Sequence, residues 1–206
     1  MNNSHITKKR RLISILTALM LVLAMAAAIP PQEVWADDGV GTTFNVGDIT
    51  YEITDATAKT VSVKRVDSSI TEAALTETVE HESVTYTVTA IRGNAFSHCI
   101  SLTSITIPGS VQTIGYNAFN GCTSLTSITI PDGVKSIGNS AFLDCTSLTS
   151  INIPSSVTSI EGSVFYNCTS LAAITVDESN PNYWADANGI LFDKNQTTLV
   201  KYPAGK

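Results

Sequence analysis

Four cysteines stand at Cys99, Cys122, Cys145 and Cys168, each 23 residues after the last. Thiols can ligate a metal, form disulfides or act as nucleophiles. Metal ligation needs converging partners, and no CxxC pair, histidine or carboxylate shares the cysteine column. His98 directly precedes Cys99, but Gly121, Asp144 and Asn167 fill its place in the later repeats. Disulfide pairing within the column also fits poorly. Equivalent residues on stacked coils would lie about 4.8 Å apart with parallel side chains, whereas a bridge needs Cβ atoms converging to about 3.5–4.5 Å. The column therefore reads as a ladder of buried thiols. Catalysis requires unlike groups held together, such as a nucleophile, a base and an orienting partner. The chain has three histidines, two of them outside the repeats, and Arg92, Asp132, Lys135, Asp144 and Glu161 fall at scattered columns. No enzymatic activity, cofactor or bound metal is expected.

What positions these residues is the period itself. Phenylalanine recurs at Phe96, Phe119, Phe142 and Phe165, leucine at Leu102, Leu125, Leu148 and Leu171, and isoleucine at Ile105, Ile128, Ile151 and Ile174. Fixed-period self-similarity of this kind is the signature of a solenoid, in which each repeat makes one circuit of a coil. The segment Leu-x-x-Ile-x-Ile-Pro alternates as a strand with one buried face, and Pro108, Pro131 and Pro154 end it because proline has no N–H for the ladder. Ser104 with Thr106, Ser127 with Thr129, and Ser150 with Asn152 then point to solvent, and Thr175 continues the row. The chain returns through Val-x-x-Ile-Gly, a second short strand or extended segment, and Ala-Phe-x-x-Cys predicts a short helical or 3₁₀ turn.

The unit Ile114-Gly115-Tyr116-Asn117-Ala118-Phe119-Asn120-Gly121-Cys122-Thr123-Ser124-Leu125-Thr126-Ser127-Ile128-Thr129-Ile130-Pro131 resembles the BspA-like class of bacterial leucine-rich repeats. The resemblance is close from Ile91 to Val176 and looser through the flanks from Phe44 to Pro203. The expected fold is a β-rich repeat solenoid with a 23-residue period, parallel strands on the concave face and short 3₁₀ or helical turns. An N-terminal β cap and a C-terminal hairpin complete it. The resemblance also implies a secreted or surface protein, since some members act as adhesins for host matrix proteins or other bacteria.

The ends divide the chain further. Lys8-Lys9-Arg10-Arg11, the apolar run Leu12 to Ile29 and the small-residue site Val34-Trp35-Ala36 read as a secretory signal peptide over residues 1–36, cleaved after Ala36. If it stays uncleaved, the same segment is the one expected membrane contact. Residues 37–90 read as the N-terminal β cap, with strand signals at Asp48–Ile53, Thr60–Val63 and Val84–Val88, and residues 91–176 as the repeats. Residues 177–206 read as an atypical repeat whose hairpin joins Ile190–Phe192 to Thr198–Tyr202. The chain stops at Lys206 without an evident polar cap or wall-sorting motif, as a shortened or fragmentary gene product would. Removing four basic residues and one acidic residue with the signal leaves 8 basic against 17 acidic, a net charge of −9. Nucleic acid and anionic lipid are poor partners for so acidic a chain.

Function is therefore expected on a surface. The candidate contact face is the uncharged row of Ser104, Thr106, Ser127, Thr129, Ser150, Asn152 and Thr175, because solenoids bind along extended strand surfaces. Its expected partner is a protein, from host matrix or a bacterial surface, or a glycan. Threonine also favours strands without any ligand. Two other readings stand beside adhesion: a structural spacer or fragment of a longer surface protein, and, more remotely, an ice- or mineral-binding solenoid, for which Asn152 and Ala173 interrupt the outward row.

Overall fold

A computed structural model describes residues 39–205; the expected signal peptide, residues 1–36, lies outside the described residues. The N-terminal part contributes β1 (Thr43–Val46), β2 (Ile49–Asp55), β3 (Thr60–Val66), β4 (Glu72–Ala74), β5 (Thr78–His81) and β6 (Val84–Ile91). The repeats alternate strands on two sides of the coil: β7 (Ser104–Thr106), β9 (Ser127–Thr129), β11 (Ser150–Ile153) and β13 (Ala173–Val176) on one, β8 (Thr113–Ile114), β10 (Ser136–Ile137) and β12 (Ser159–Ile160) on the other. Last come β14 (Tyr183–Ala185), β15 (Leu191–Asp193) and β16 (Leu199–Lys201). The result is a β-solenoid of about five turns with a 23-residue period.

Register follows the period. β11 pairs in parallel with β9 and β13, setting Ile151 beside both Ile128 and Ile174. On the opposite side β8, β10 and β12 run parallel, with Ile114, Ile137 and Ile160 in line. Inside, the phenylalanines stack ring on ring: centroids lie 5.0 Å apart from Phe96 to Phe119, 5.4 Å from Phe119 to Phe142 and 5.7 Å from Phe142 to Phe165. Offset stacking at these separations is favourable beyond simple burial, so each coil is held by both neighbours.

The expected turn at Ala-Phe-x-x-Cys takes a specific form. Among the described residues no helix is present; the segment instead makes separate three-residue-back bonds, Asn120 N–H to Asn117 O at 3.1 Å and Cys122 N–H to Phe119 O at 3.2 Å. The alternate N–H groups point along the stack, with Phe119 donating to Ala141 O and Gly121 to Leu143 O, both at 2.8 Å. Bonds to the next coil compete with helix continuation, and a helical turn would forfeit them.

Strands flank the repeats on both sides. β1, β2 and β3 pair antiparallel, then β3 joins β6 in parallel and β6 joins β8, so the N-terminal strands continue one side of the coil as a single sheet. At the C-terminal side of the repeats a buried polar residue joins the last coil to the strands that follow. Asn180 is fully buried and donates to Pro154 O at 2.7 Å and Val157 O at 3.0 Å, while its Oδ1 accepts from the N–H groups of Asn182 and Tyr183. Tyr183 OH then accepts the outer N–H of Ile160 at 2.7 Å. The expected hairpin forms between β15 and β16, but β14 adds a third antiparallel strand to it.

Candidate functional site

The seven predicted face residues are all exposed and lie on four neighbouring strands. Ser127 sits opposite Ser150, Thr129 opposite Asn152, and Asn152 opposite Thr175, whose Oγ1 donates to Asn152 Oδ1 at 2.9 Å. Ser104 and Thr106 on β7 lie in the adjacent strand, although the ladder of strand pairing is interrupted between β7 and β9. Ile105, Ile128, Ile151 and Ile174 alternate with these residues and are buried beneath them, so the pleat fixes which side chains reach solvent. A flanking row is also anchored: Thr149 Oγ1 donates to Thr126 O at 3.3 Å.

The face extends one rung further than the 23-residue spacing indicates. β4 pairs in parallel with β7, placing Glu72 beside Ser104 and Ala74 beside Thr106. Ala73 takes the inward place that isoleucine holds later, and the 32-residue offset hides the rung from a fixed-period reading. Glu72 is exposed at this end and Glu178 at the other, so an uncharged centre lies between acidic margins.

The cysteines sit apart from this surface. All four are free and buried. Cys122, Cys145 and Cys168 donate their S–H to Phe96 O, Phe119 O and Phe142 O at 3.1, 3.2 and 3.0 Å, each thiol satisfying a carbonyl of the coil before it. Burial pushes Cys122 up to about 12 and Cys168 up to about 11; Cys145 and Cys99 are raised for the same reason, and neighbouring thiols add to the effect at Cys122 and Cys145. Such thiols are poor nucleophiles. Among the described residues no three His, Cys, Asp or Glu side chains converge as metal ligands.

His98 has a backbone explanation. Its φ is +61°, and the same column carries Gly121 at +74°, Asp144 at +57° and Asn167 at +56°. A second such column runs through Asn94, Asn117, Ser140 and Ser163. Gly, Asn, Asp and His are the residues most tolerant of the left-handed region, so both columns mark tight turns in each coil. Asn167 Nδ2 donates to Asp144 Oδ1 at 2.7 Å, linking two members of one column.

These repeats match the model of the BspA-type leucine-rich repeat region in six copies over residues 68–187. The chain belongs to the BspA-type leucine-rich repeat family. Among solved structures, this BspA-type protein is similar to a leucine-rich repeat protein from Bacteroides capillosus, with 32% identity, a TM-score of 0.60, and coverage of 66% of this chain and 98% of that one. It is also similar to one from Eubacterium ventriosum at 26% identity and a TM-score of 0.56, over 80% of this chain and 51% of that one. The leucine-rich repeat protein of T. pallidum matches at 25% identity and a TM-score of 0.53, over 64% of this chain and 70% of its own. The chain thus spans almost all of the first relative and about half of the second. No curated protein sequence matches significantly. The family match begins at residue 68, which places the rung of Glu72–Ala74 within the BspA-type repeats.

Proposed function

We propose that this BspA-type protein is a secreted or cell-surface binding module, adhesin-like and non-enzymatic, that engages a protein or glycan through its Ser/Thr strand face. Residues 1–36 export it, residues 37–90 seal the first coil, residues 91–176 present the face, and residues 177–206 close the stack. The observation that carries this reading is the registered row of Ser104, Thr106, Ser127, Thr129, Ser150, Asn152 and Thr175, all exposed, none charged, on strands whose reverse side is the apolar core. An extended surface of fixed hydroxyl and amide groups loses little conformational entropy on docking, because the backbone beneath it is already ordered. Its neutrality and the net charge of −9 after export turn the specificity away from polyanions.

The test replaces Thr106, Thr129 and Asn152 together with glutamate and measures binding to host cells and immobilised matrix proteins. The expected result is a loss of at least about tenfold from desolvating the introduced, unpaired carboxylates and from lost hydrogen bonds, with the fold unchanged by circular dichroism. Unchanged binding by the folded variant removes the strand face from the account.

A further inference from the structure

The strand face is open along most of its length but meets a wall at its last rung. Ala173 stands where Ser127 and Ser150 stand in the preceding rungs, and the turn from Asp186 to Gly189 comes down against it. A Cβ on Gly189 would lie 2.9 Å from Ala173 Cα, and Gly189 O accepts the Ile174 N–H at 3.2 Å. Rung and turn enclose an open groove of about 630 Å³, lined by Thr175, Glu178, Trp184, Asn188 and Lys194 among others. Trp184 is half-buried, and its ring is held by Phe192, the residue opposite it on β15, at a centroid distance of 5.8 Å. Its indole N–H and the Glu178 carboxylate make no hydrogen bond within the described residues. Asn188 commits only its amide nitrogen, to Asp186 Oδ2 at 3.3 Å.

We propose that this groove is a binding subsite for an uncharged oligosaccharide, in which Trp184 packs against the C–H face of a sugar ring while its indole N–H, Glu178, Asn188 and Thr175 engage the hydroxyls. The proposal rests on the reading of the strand face as a docking surface and gives that surface a ligand class. A sugar ring has an apolar face and a rim of hydroxyls that both donate and accept, and the groove offers an aromatic face beside open donors and acceptors. Glu178, Asp177 and Asp186 line it against the single cation Lys194, so an anionic ligand meets net repulsion. A peptide strand is a poorer occupant, because the Ile174 N–H that would start a new ladder is already taken by Gly189. From the groove the rows of Thr175, Asn152 and Thr129 lead away along the face, offering hydroxyl and amide partners to further sugar units.

The protein is titrated by calorimetry with cellohexaose, laminarihexaose, maltohexaose, a heparin hexasaccharide and an extended neutral peptide. Saturable binding of at least one neutral hexasaccharide, weakened about tenfold or more by Trp184→Ala and several-fold by Glu178→Ala or Asn188→Ala, is the expected result. Circular dichroism controls for folding, and the two polar variants keep the test informative if Trp184→Ala unfolds the C-terminal sheet. Binding of the heparin hexasaccharide or the peptide alone, no binding of any neutral sugar, or sugar binding untouched by all three variants overturns the proposal. If the Thr106, Thr129 and Asn152 triple variant abolishes host-cell binding while no neutral hexasaccharide binds in the calorimeter, the docking face stands and the sugar subsite falls. If the triple variant still binds cells, the face itself falls.

Discussion

The Cys122 thiol meets a carbonyl on one side and packed hydrocarbon on the others, and its acidity follows from that setting. Its ordinary value of 9.0 is pushed up to about 12 by burial, so the folded state holds the proton more tightly than the unfolded chain does. A raised value contributes stability that is full below the unfolded value and is lost as pH climbs through the folded one. Denaturant unfolding should therefore show stability unaffected by these groups up to about pH 9, then declining toward pH 11–12 as Cys168 and Cys122 are drawn to ionise on unfolding. Ellman's reagent at pH 8 should label no cysteine in the folded protein and all four in denaturant; rapid labelling of the native protein would contradict the buried ladder. The left-handed column makes a second prediction. Gly121 has φ +74°, and a Cβ there would lie 3.2 Å from the His98 ring, so Gly121→Val should cost at least about 1–2 kcal/mol, whereas His98→Asn should be close to neutral by thermal melting. Residue identities at Cys99 and His98 were readable as a repeating column, but the positive φ that unites His98, Gly121, Asp144 and Asn167 is a backbone property. Side-chain chemistry alone points elsewhere for a histidine beside a cysteine.

At the scale of elements, the inward residues of the repeats were legible because burial and period agree at every rung: Phe96 to Phe165, Leu102 to Leu171 and Ile105 to Ile174 all lie in the core. The seven outward residues follow from the same alternation. Where the period lapses, legibility lapses with it. β4 hides behind an alanine at the inward position and a 32-residue offset, β1 and β5 are short strands set outside the periodic segment, and β14 has no alternation in Tyr183-Trp184-Ala185 to announce it. The role of Asn180 was equally hidden, since a polar residue after Val176 reads as a turn until its four partners are seen. Those partners carry the element-scale prediction. Asn180→Ala takes the Asn180 donor from Val157 O, leaves Pro154 O with only the Val157 N–H at 3.3 Å, and strips the N–H groups of Asn182 and Tyr183 of their acceptor, at a cost of about 2–3 kcal/mol. Hydrogen exchange should speed up first across β12, β13 and β14, with the N-terminal strands unchanged. Uniform acceleration along the chain, or none, would show that Asn180 does not close the stack.

For the molecule as a whole, each coil contacts only its neighbours, so stability is shared along the stack and an interior lesion is felt on both sides. Phe119 stacks on Phe96 and Phe142 at once and is fully buried. Phe119→Ala should destabilise by about 3–5 kcal/mol, more than Phe165→Ala, whose ring has a single stacked neighbour among the described phenylalanines; urea unfolding of the two variants checks the order. That rigid apolar interior is what allows an uncharged row of short side chains to serve as a fixed docking surface. The most direct test places a photo-crosslinking amino acid at Thr129 on the strand face or at Gln112 on the other side of the coil, both exposed, and irradiates the protein bound to host cells. Covalent adducts from Thr129 and none from Gln112 are the predicted result. Adducts from Gln112 alone, or from neither position while the protein remains bound, would contradict a partner seated on the strand face.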